Sequence, residues 1–263
     1  MPHDHMAEML DLDADVLHDF HRDVINWAGS LAPDRPRIVD LGAGSGTGTL
    51  ALARHLPDAR VTALDKDEDL LEHLRERAVA AGVADRVRTV RADLDLAWPD
   101  LGAPADLVWA SASMHHLADP ARTLAEVRTA LRAGGFLVIV ELDSFPRFLP
   151  DPAGAALEDR FHAELARMRH EHGMHMGEDW GVRLTAAGFE VKGERRFDIE
   201  LRPPLPPRAA RYAQVSLQRV RHGLADRLSS DDVAALDALA TTVGDRDDLV
   251  VRATRSVWIG RRP

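Results

Sequence analysis

Apolar residues recur near the helical period between positions 12 and 31, at Leu17, Phe20, Val24, Ile25 and Leu31, and predict a helix there. Pro33 and Pro36 break the chain after it. The pattern then changes to short apolar runs that alternate with longer amphipathic ones. Strands are predicted at 37–41, 60–64, 87–91, 105–110 and 136–142, the last almost wholly apolar, as a strand covered on both faces should be. Helices are predicted at 49–55, at 70–81 with Gly82 as its stop, and at 120–131, with Pro120 in its first turn and Gly134-Gly135 beyond its end. Strands that alternate with helices of about a dozen residues imply a parallel sheet with right-handed crossovers.

After Asp143 the texture shifts. Pro146, Pro150 and Pro152 precede a helix rich in His, Arg and Met, and a sixth strand is predicted at 189–201. Residues 202–207 hold Pro203, Pro204, Pro206 and Pro207 and read as an extended linker. Helices follow at 208–225 and 230–242, the second opening on Ser230-Asp231-Asp232, then a last strand at 250–260. The fold class is α/β, a doubly wound, mostly parallel seven-stranded sheet of Rossmann-like type. A single domain is expected over 1–263: an N-terminal helical segment (1–35), a core (36–143), and cap elements with the final strands (144–263). The helices before the last strand read as an insertion.

Composition narrows the class. Of 263 residues, 45% are hydrophobic and 29% charged, the balance of an ordinary globular chain. No window approaches the roughly 18 uncharged apolar residues of a spanning helix. The acidic N-terminus lacks the basic start and apolar run of a secretory signal, so a cytoplasmic location and no membrane are expected. Cysteine is absent, which excludes disulfides and thiolate metal sites. The formal net charge of −10 disfavours a nucleic-acid partner.

The most informative stretch is Asp40-Leu41-Gly42-Ala43-Gly44-Ser45-Gly46-Thr47-Gly48, between a strand and a helix at the edge where open α/β sheets bind ligands. A dinucleotide fingerprint needs G-x-G-x-x-G, and Thr47 or Thr49 falls at its third glycine in either frame. The pattern present is D-x-G-x-G-x-G. An acid so close would repel a pyrophosphate and suits a cationic ligand. Asp65 closes the second strand about 20 residues on, the offset at which an acid reaches ribose hydroxyls. Asp93 follows the third strand, where a carboxylate could accept an exocyclic amine. Three acids thus end successive strands of one sheet.

These residues resemble those of class I S-adenosylmethionine-dependent methyltransferases over roughly residues 36–143 and into the final strand. The resemblance implies S-adenosyl-L-methionine as cofactor and S-adenosyl-L-homocysteine as product. It implies that Asp40, Gly42, Ala43, Gly44, Ser45 and Gly46 cradle the methionine part. Asp65 would bind the ribose with Lys66 flanking the adenine, and Asp93 would read the adenine with Leu94 stacking. Ala110, Ser111, His115 and His116 would line the methionine and the transferring methyl. In this family an Asn/Asp-Pro-Pro-Tyr/Phe sequence after the fourth strand marks planar nitrogen acceptors, and Ala110-Ser111-Ala112-Ser113 stands there instead. His115-His116-Leu117 is similar to the motif of small-molecule methyltransferases. The N-terminal helix resembles a lid across the cofactor, with His18, His21 and Arg22 toward the ligand.

Methyl transfer needs alignment, a dry pocket and, for some acceptors, a base. His115 is the candidate base, and Glu141, near the end of the fifth strand, the candidate for orienting an acceptor amine or hydroxyl. His170, His172 and His175 lie close in sequence, but only the last two share a helix face, so no metal site is expected. With Met168, Met174 and Met176 the segment suits a pocket wall or a solvated turn. The expected function is O-, N- or C-methylation of a small-molecule acceptor, such as a secondary metabolite. The competing readings are a methyltransferase acting on protein or RNA and a non-catalytic S-adenosylmethionine-binding protein. The oligomeric state stays open, a homodimer included.

Overall fold

The structure, a computed structural model, describes residues 2–263, with side chains from Met6 onward. The expected α/β architecture is present. Seven strands form one mixed sheet in the order β3-β2-β1-β4-β5-β7-β6, with helices on both sides. The strands are β1 (Arg37–Leu41), β2 (Arg60–Asp65), β3 (Val87–Arg91), β4 (Ala105–Ser111), β5 (Leu131–Leu142), β6 (Glu190–Leu201) and β7 (Val251–Arg261). The helices are α1 (Pro2–Val16), α2 (His18–Gly29), α3 (Thr47–His55), α4 (Glu68–Ala80), α5 (Pro120–Ala130), α6 (Pro152–Glu171), α7 (Trp180–Ala186), α8 (Ala209–Gly223) and α9 (Ser230–Thr242). β1 pairs in parallel with β2 and β4, β2 with β3, and β4 with β5. The strand order reverses at β1, so a crevice opens beyond the carboxyl ends of β1 and β4.

The chain divides into two compact units. The sheet unit comprises residues 19–143, 175–196 and 256–263. Its core joins Val39, Leu41, Leu64, Val108, Ala110, Leu137 and Ile139 from the strands to Leu124, Trp180, Leu184 and Trp258. Caps fix where its helices start: Asp67 accepts from the N–H of Asp69 and Leu70 at 3.0 and 3.3 Å, and Asp119 from that of Arg122 at 3.0 Å.

The helical unit comprises residues 1–18, 144–174 and 197–255. Its core includes Leu12, Val16, Phe148, Leu157, Phe161, Tyr212, Leu217 and Leu236. Charges bind α1 to α8: Glu8 pairs with Arg211 at 2.8 Å, Asp15 pairs with Arg208, and Asp13 accepts from Tyr212 at 2.5 Å. The buried Arg255 donates to Asp13 as well, at 2.9 Å. α8 and α9 do lie between β6 and β7, as the insertion predicted.

Some boundaries differ from expectation. The helix predicted over 12–31 is two helices, broken at Leu17. Leu12 and Val16 are buried in the helical unit, whereas Phe20, Val24 and Ile25 are buried in the sheet unit. One straight helix would have to serve two cores. β5 begins at Leu131, not 136, because Leu131 already pairs with Ala105. Gly134, at φ 73°, absorbs a register shift inside the strand. The short α7 gave no periodic signal.

Candidate active site

The turn after β1 runs through Gly42, Gly44 and Gly46 with φ of 61°, 54° and 85°. Two of them meet close neighbours. A Cβ on Gly42 would lie 2.6 Å from Ser113 Cβ, and one on Gly46 would lie 1.6 Å from Leu74 Cδ1. The turn is held by its own backbone and by neighbours. Ala43 N–H donates to Leu64 O at 2.9 Å, and Arg77 donates to Ser45 O at 2.9 Å. Asp65 braces it directly: one carboxylate oxygen accepts from Gly44 N–H at 2.8 Å, the other from Asp67 N–H at 2.9 Å. The acid expected to bind a ligand is therefore also a strut of the turn, and each of its oxygens keeps a second acceptor site.

Asp40 is buried beneath the turn and accepts from Thr49 Oγ1 at 2.6 Å. Burial pushes its carboxyl up to about 7, against the lowering by Thr49. No cationic group among the described residues stands against it. Nearby, Thr47 Oγ1 and Trp109 Nε1 are buried without a hydrogen-bond partner among the described residues. A buried acid without a counter-charge and orphaned polar atoms fit a ligand that brings a positive charge and polar groups of its own.

The remaining predicted contacts lie in the turns that follow β2 and β3 and at the end of β4. Lys66 is exposed and close enough to His116 to influence its charge. Asp93 is half-buried and accepts from Asp95 N–H at 3.0 Å, while Leu94 O receives Arg122 at 2.5 Å. Ala110 and Ser111 end β4 in parallel register with Ile139 and Val140 of β5.

That register joins the two candidate catalytic residues. β4 is followed by a 3₁₀ turn, Met114–His116, and β5 ends at Leu142. His115 Nδ1 lies 2.5 Å from Glu141 Oε2, and His115 N–H donates to the other oxygen at 3.3 Å. Both residues are buried, His115 at 4% exposure and Glu141 at 2%. The carboxylate selects the Nδ1–H tautomer and leaves Nε2 as the acceptor of the ring. The His116 ring lies 4.1 Å from that of His115. Loss of surrounding solvent, then His115 and Lys66, push its imidazole down to about 4, so it is neutral at neutral pH. Ser113 Oγ donates to Leu41 O at 2.7 Å and ties this turn to the glycine turn.

Sequence reasoning missed Thr49, Arg77 and the pairing of His115 with Glu141. Only the pairing had a legible signal: adjacent parallel strands bring their carboxyl ends together. Of the three clustered histidines, His175 reaches the site, its backbone N–H donating to His115 O at 3.0 Å. His172 Nδ1 instead bonds Met168 O at 2.6 Å. No group of three or more potential metal ligands occurs among the described residues. A cavity of about 580 Å³ lies elsewhere, between Trp98–Ala105 and one face of α5, and no predicted site residue lines it.

Residues 38–135 match the family described as a methyltransferase domain. The chain is 30% identical over 192 residues to 27-O-demethylrifamycin SV methyltransferase of Amycolatopsis mediterranei, covering 71% of this chain and 65% of that one. It is 36% identical over 120 residues to trans-aconitate 2-methyltransferase of Azoarcus sp., covering 46% and 43%. It thus spans less than two thirds of the length of these curated relatives. The YcgJ protein of Bacillus subtilis has the same fold, with a TM-score of 0.60, 16% identity, and coverage of 93% of this chain and 98% of that one. The D-x-G-x-G-x-G turn lies within the stretch that matches the methyltransferase-domain family, and the sheet order is that of the solved methyltransferase-like fold it resembles.

Proposed function

We propose that this chain transfers a methyl group from S-adenosylmethionine to a small-molecule acceptor, on oxygen, nitrogen or carbon. The observation that carries the reading is the buried His115–Glu141 pair, tied through Ser113 to the glycine turn. When bound, the cofactor supplies a methyl group activated on a sulfonium. Asp40 and the turn Gly42, Ala43, Gly44, Ser45 and Gly46 hold its methionine part. Asp65 and Lys66 hold the ribose and the adenine flank. Asp93 accepts the adenine amine beside Leu94, and Ala110, Ser111 and His115 line the methyl.

For an acceptor with a proton to lose, His115 takes it at Nε2, and the Glu141 carboxylate stabilises the imidazolium that forms. A positioned base of this kind contributes about 10²–10⁴ in rate. Residues 18–29 shield the centre from water as part of a cover. Hydrogen exchange in 12–31 that slows when S-adenosylhomocysteine binds supports the cover role, and unchanged exchange leaves these helices as structure alone.

Two relatives whose names specify small acceptors, a rifamycin and trans-aconitate, support the substrate class. So does the acidic net charge of −10, which disfavours RNA. Among the described residues no helix is long and apolar enough to cross a membrane, and we place the activity in the cytoplasm. The test is incubation with methyl-labelled cofactor and fractionated extract. Label in the small-molecule fraction supports the reading. Label confined to protein or RNA replaces the acceptor class, and no uptake in any fraction favours a binding protein without catalysis.

A further inference from the structure

The 3₁₀ turn that carries His115 spans Met114–His116, and so short a helix has little stability of its own. It follows Ala112, whose φ of 52° is unfavourable for a residue with a Cβ. The turn therefore depends on anchors outside itself. Several come from the carboxyl edge of the sheet: Ala112 N–H to Val140 O at 2.8 Å, Ser113 Oγ to Leu41 O at 2.7 Å, and Ala118 N–H to Asp95 at 2.8 Å. Another comes from a distant stretch of chain, the backbone N–H of His175 on the His115 carbonyl at 3.0 Å.

His175 is itself tethered. Its Nδ1 pairs with Glu178 Oε1 at 2.6 Å, and Arg183 pairs with the other oxygen of that carboxylate. Arg183, with His175 behind it, holds the Glu178 carboxyl below its ordinary range against the raising effect of burial. The Arg183 guanidinium lies 5.6 Å from the ring of Trp180, which is sealed in the core of the sheet unit. Asp179 fixes the start of α7 by accepting from Gly181 and Val182 N–H at 2.9 and 3.2 Å. A continuous path therefore runs from a core tryptophan through Arg183, Glu178 and His175 to the main chain of His115.

We propose that His175, held by Glu178 and Arg183, is a positioning residue for His115. It fixes the carbonyl of the turn, so that the imidazole keeps its bond to Glu141 and presents Nε2 to the acceptor. The inference rests on the base role of His115. The Glu178–Arg183 pair is half-buried and lies outside the hydrophobic core of the sheet unit, so cutting it should disturb the turn more than the fold.

The test needs no acceptor. In protein labelled with ¹⁵N-histidine and saturated with S-adenosylhomocysteine, long-range ¹H–¹⁵N spectra report the tautomer and titration of each imidazole. His115 is expected as a single Nδ1–H tautomer in the wild-type chain. In Glu178→Ala it should show mixed tautomers. Glu178→Gln, which keeps an acceptor for His175, should restore the wild-type signals, and His55 and His73 should not move in either variant. Should Glu178→Ala fail to fold, Arg183→Met cuts the same network at its other support, since Arg183 contacts both Glu178 and His175 Nδ1, the latter at 3.3 Å. His115 signals that superimpose on wild type overturn the inference. Glu141→Gln separates the two levels of the argument. If it leaves His115 unchanged, the base reading fails with this one. If it moves His115 and Glu178→Ala does not, only the positioning role falls.

Discussion

The turn after β1 and the turn after β4 are neighbours at one edge of the sheet, linked by Ser113 and Leu41, yet they are held in different ways. The glycine turn is stabilised largely by main-chain groups, with the Asp65 carboxylate and Arg77 as struts. Its shape is written into glycine spacing because only glycine fits at Gly42 and Gly46. The His115 turn contains no glycine and is held by side chains and main chain from far along the sequence, Glu141 and His175 among them. The first is a backbone loop that we propose as the cofactor cradle, and the second is a mounted side chain whose aim depends on its supports. Damage to the first should abolish cofactor binding. Damage to the second should spare binding and lose rate.

Asp65→Ala breaks the first turn hardest. It removes the strut on Gly44 and the proposed acceptor for the ribose, each charge-assisted bond being worth about 1.5–3 kcal/mol. Affinity for S-adenosylhomocysteine by calorimetry should fall at least about tenfold and as much as several hundredfold. Near wild-type binding contradicts the assignment. His115→Ala should do the reverse, lowering label transfer about 10²–10⁴-fold for an acceptor that loses a proton. Its affinity for S-adenosylhomocysteine should stay within about threefold. Equal losses in rate and binding would erase the contrast between the turns.

Asp40 sharpens the comparison through pH. Its carboxyl is raised from 3.8 to about 7, so the folded chain holds that proton more tightly than the unfolded chain does. Ionising it above pH 7 costs the empty protein stability, and the cost disappears as pH falls through 7 toward 4. The α-ammonium of the ligand pairs with the ionised form, so affinity for S-adenosylhomocysteine should rise about tenfold from pH 6 to pH 8. Asp40→Asn should flatten that dependence, and a flat wild-type profile counts against Asp40 facing the ligand charge. The smallest effect is expected from Ser113→Ala, which cuts the bond between the turns. Melting should show a loss of about 0.5–1.5 kcal/mol, with binding nearly unchanged.

The comparison also explains what could be read from the chain. β1 to β4, the glycine turn and the acids after the strands were legible because short apolar runs, glycine spacing and strand ends are local properties. The break at Leu17 was not, because it depends on which core takes Val16 and which takes Phe20. The early start of β5 was hidden by Gly134-Gly135, which reads as a helix exit and here lies inside a strand. His115 and Glu141 were each legible as candidates, but their contact spans 26 residues and follows only from the β4–β5 register. The tether through His175 had no sequence signal, since a backbone bond at the end of a His- and Met-rich stretch leaves no trace in residue type.

Calorimetric titration of S-adenosylhomocysteine into the wild-type chain and Gly44→Val tests the central claim most directly. A branched side chain at a φ of 54° strains the backbone of the turn. The expected result is saturable one-site binding to the wild type, no binding to Gly44→Val, and a cooperative melt retained in the variant. Absent binding to the wild type, or equal binding to both, would show that the glycine turn is not a cofactor cradle.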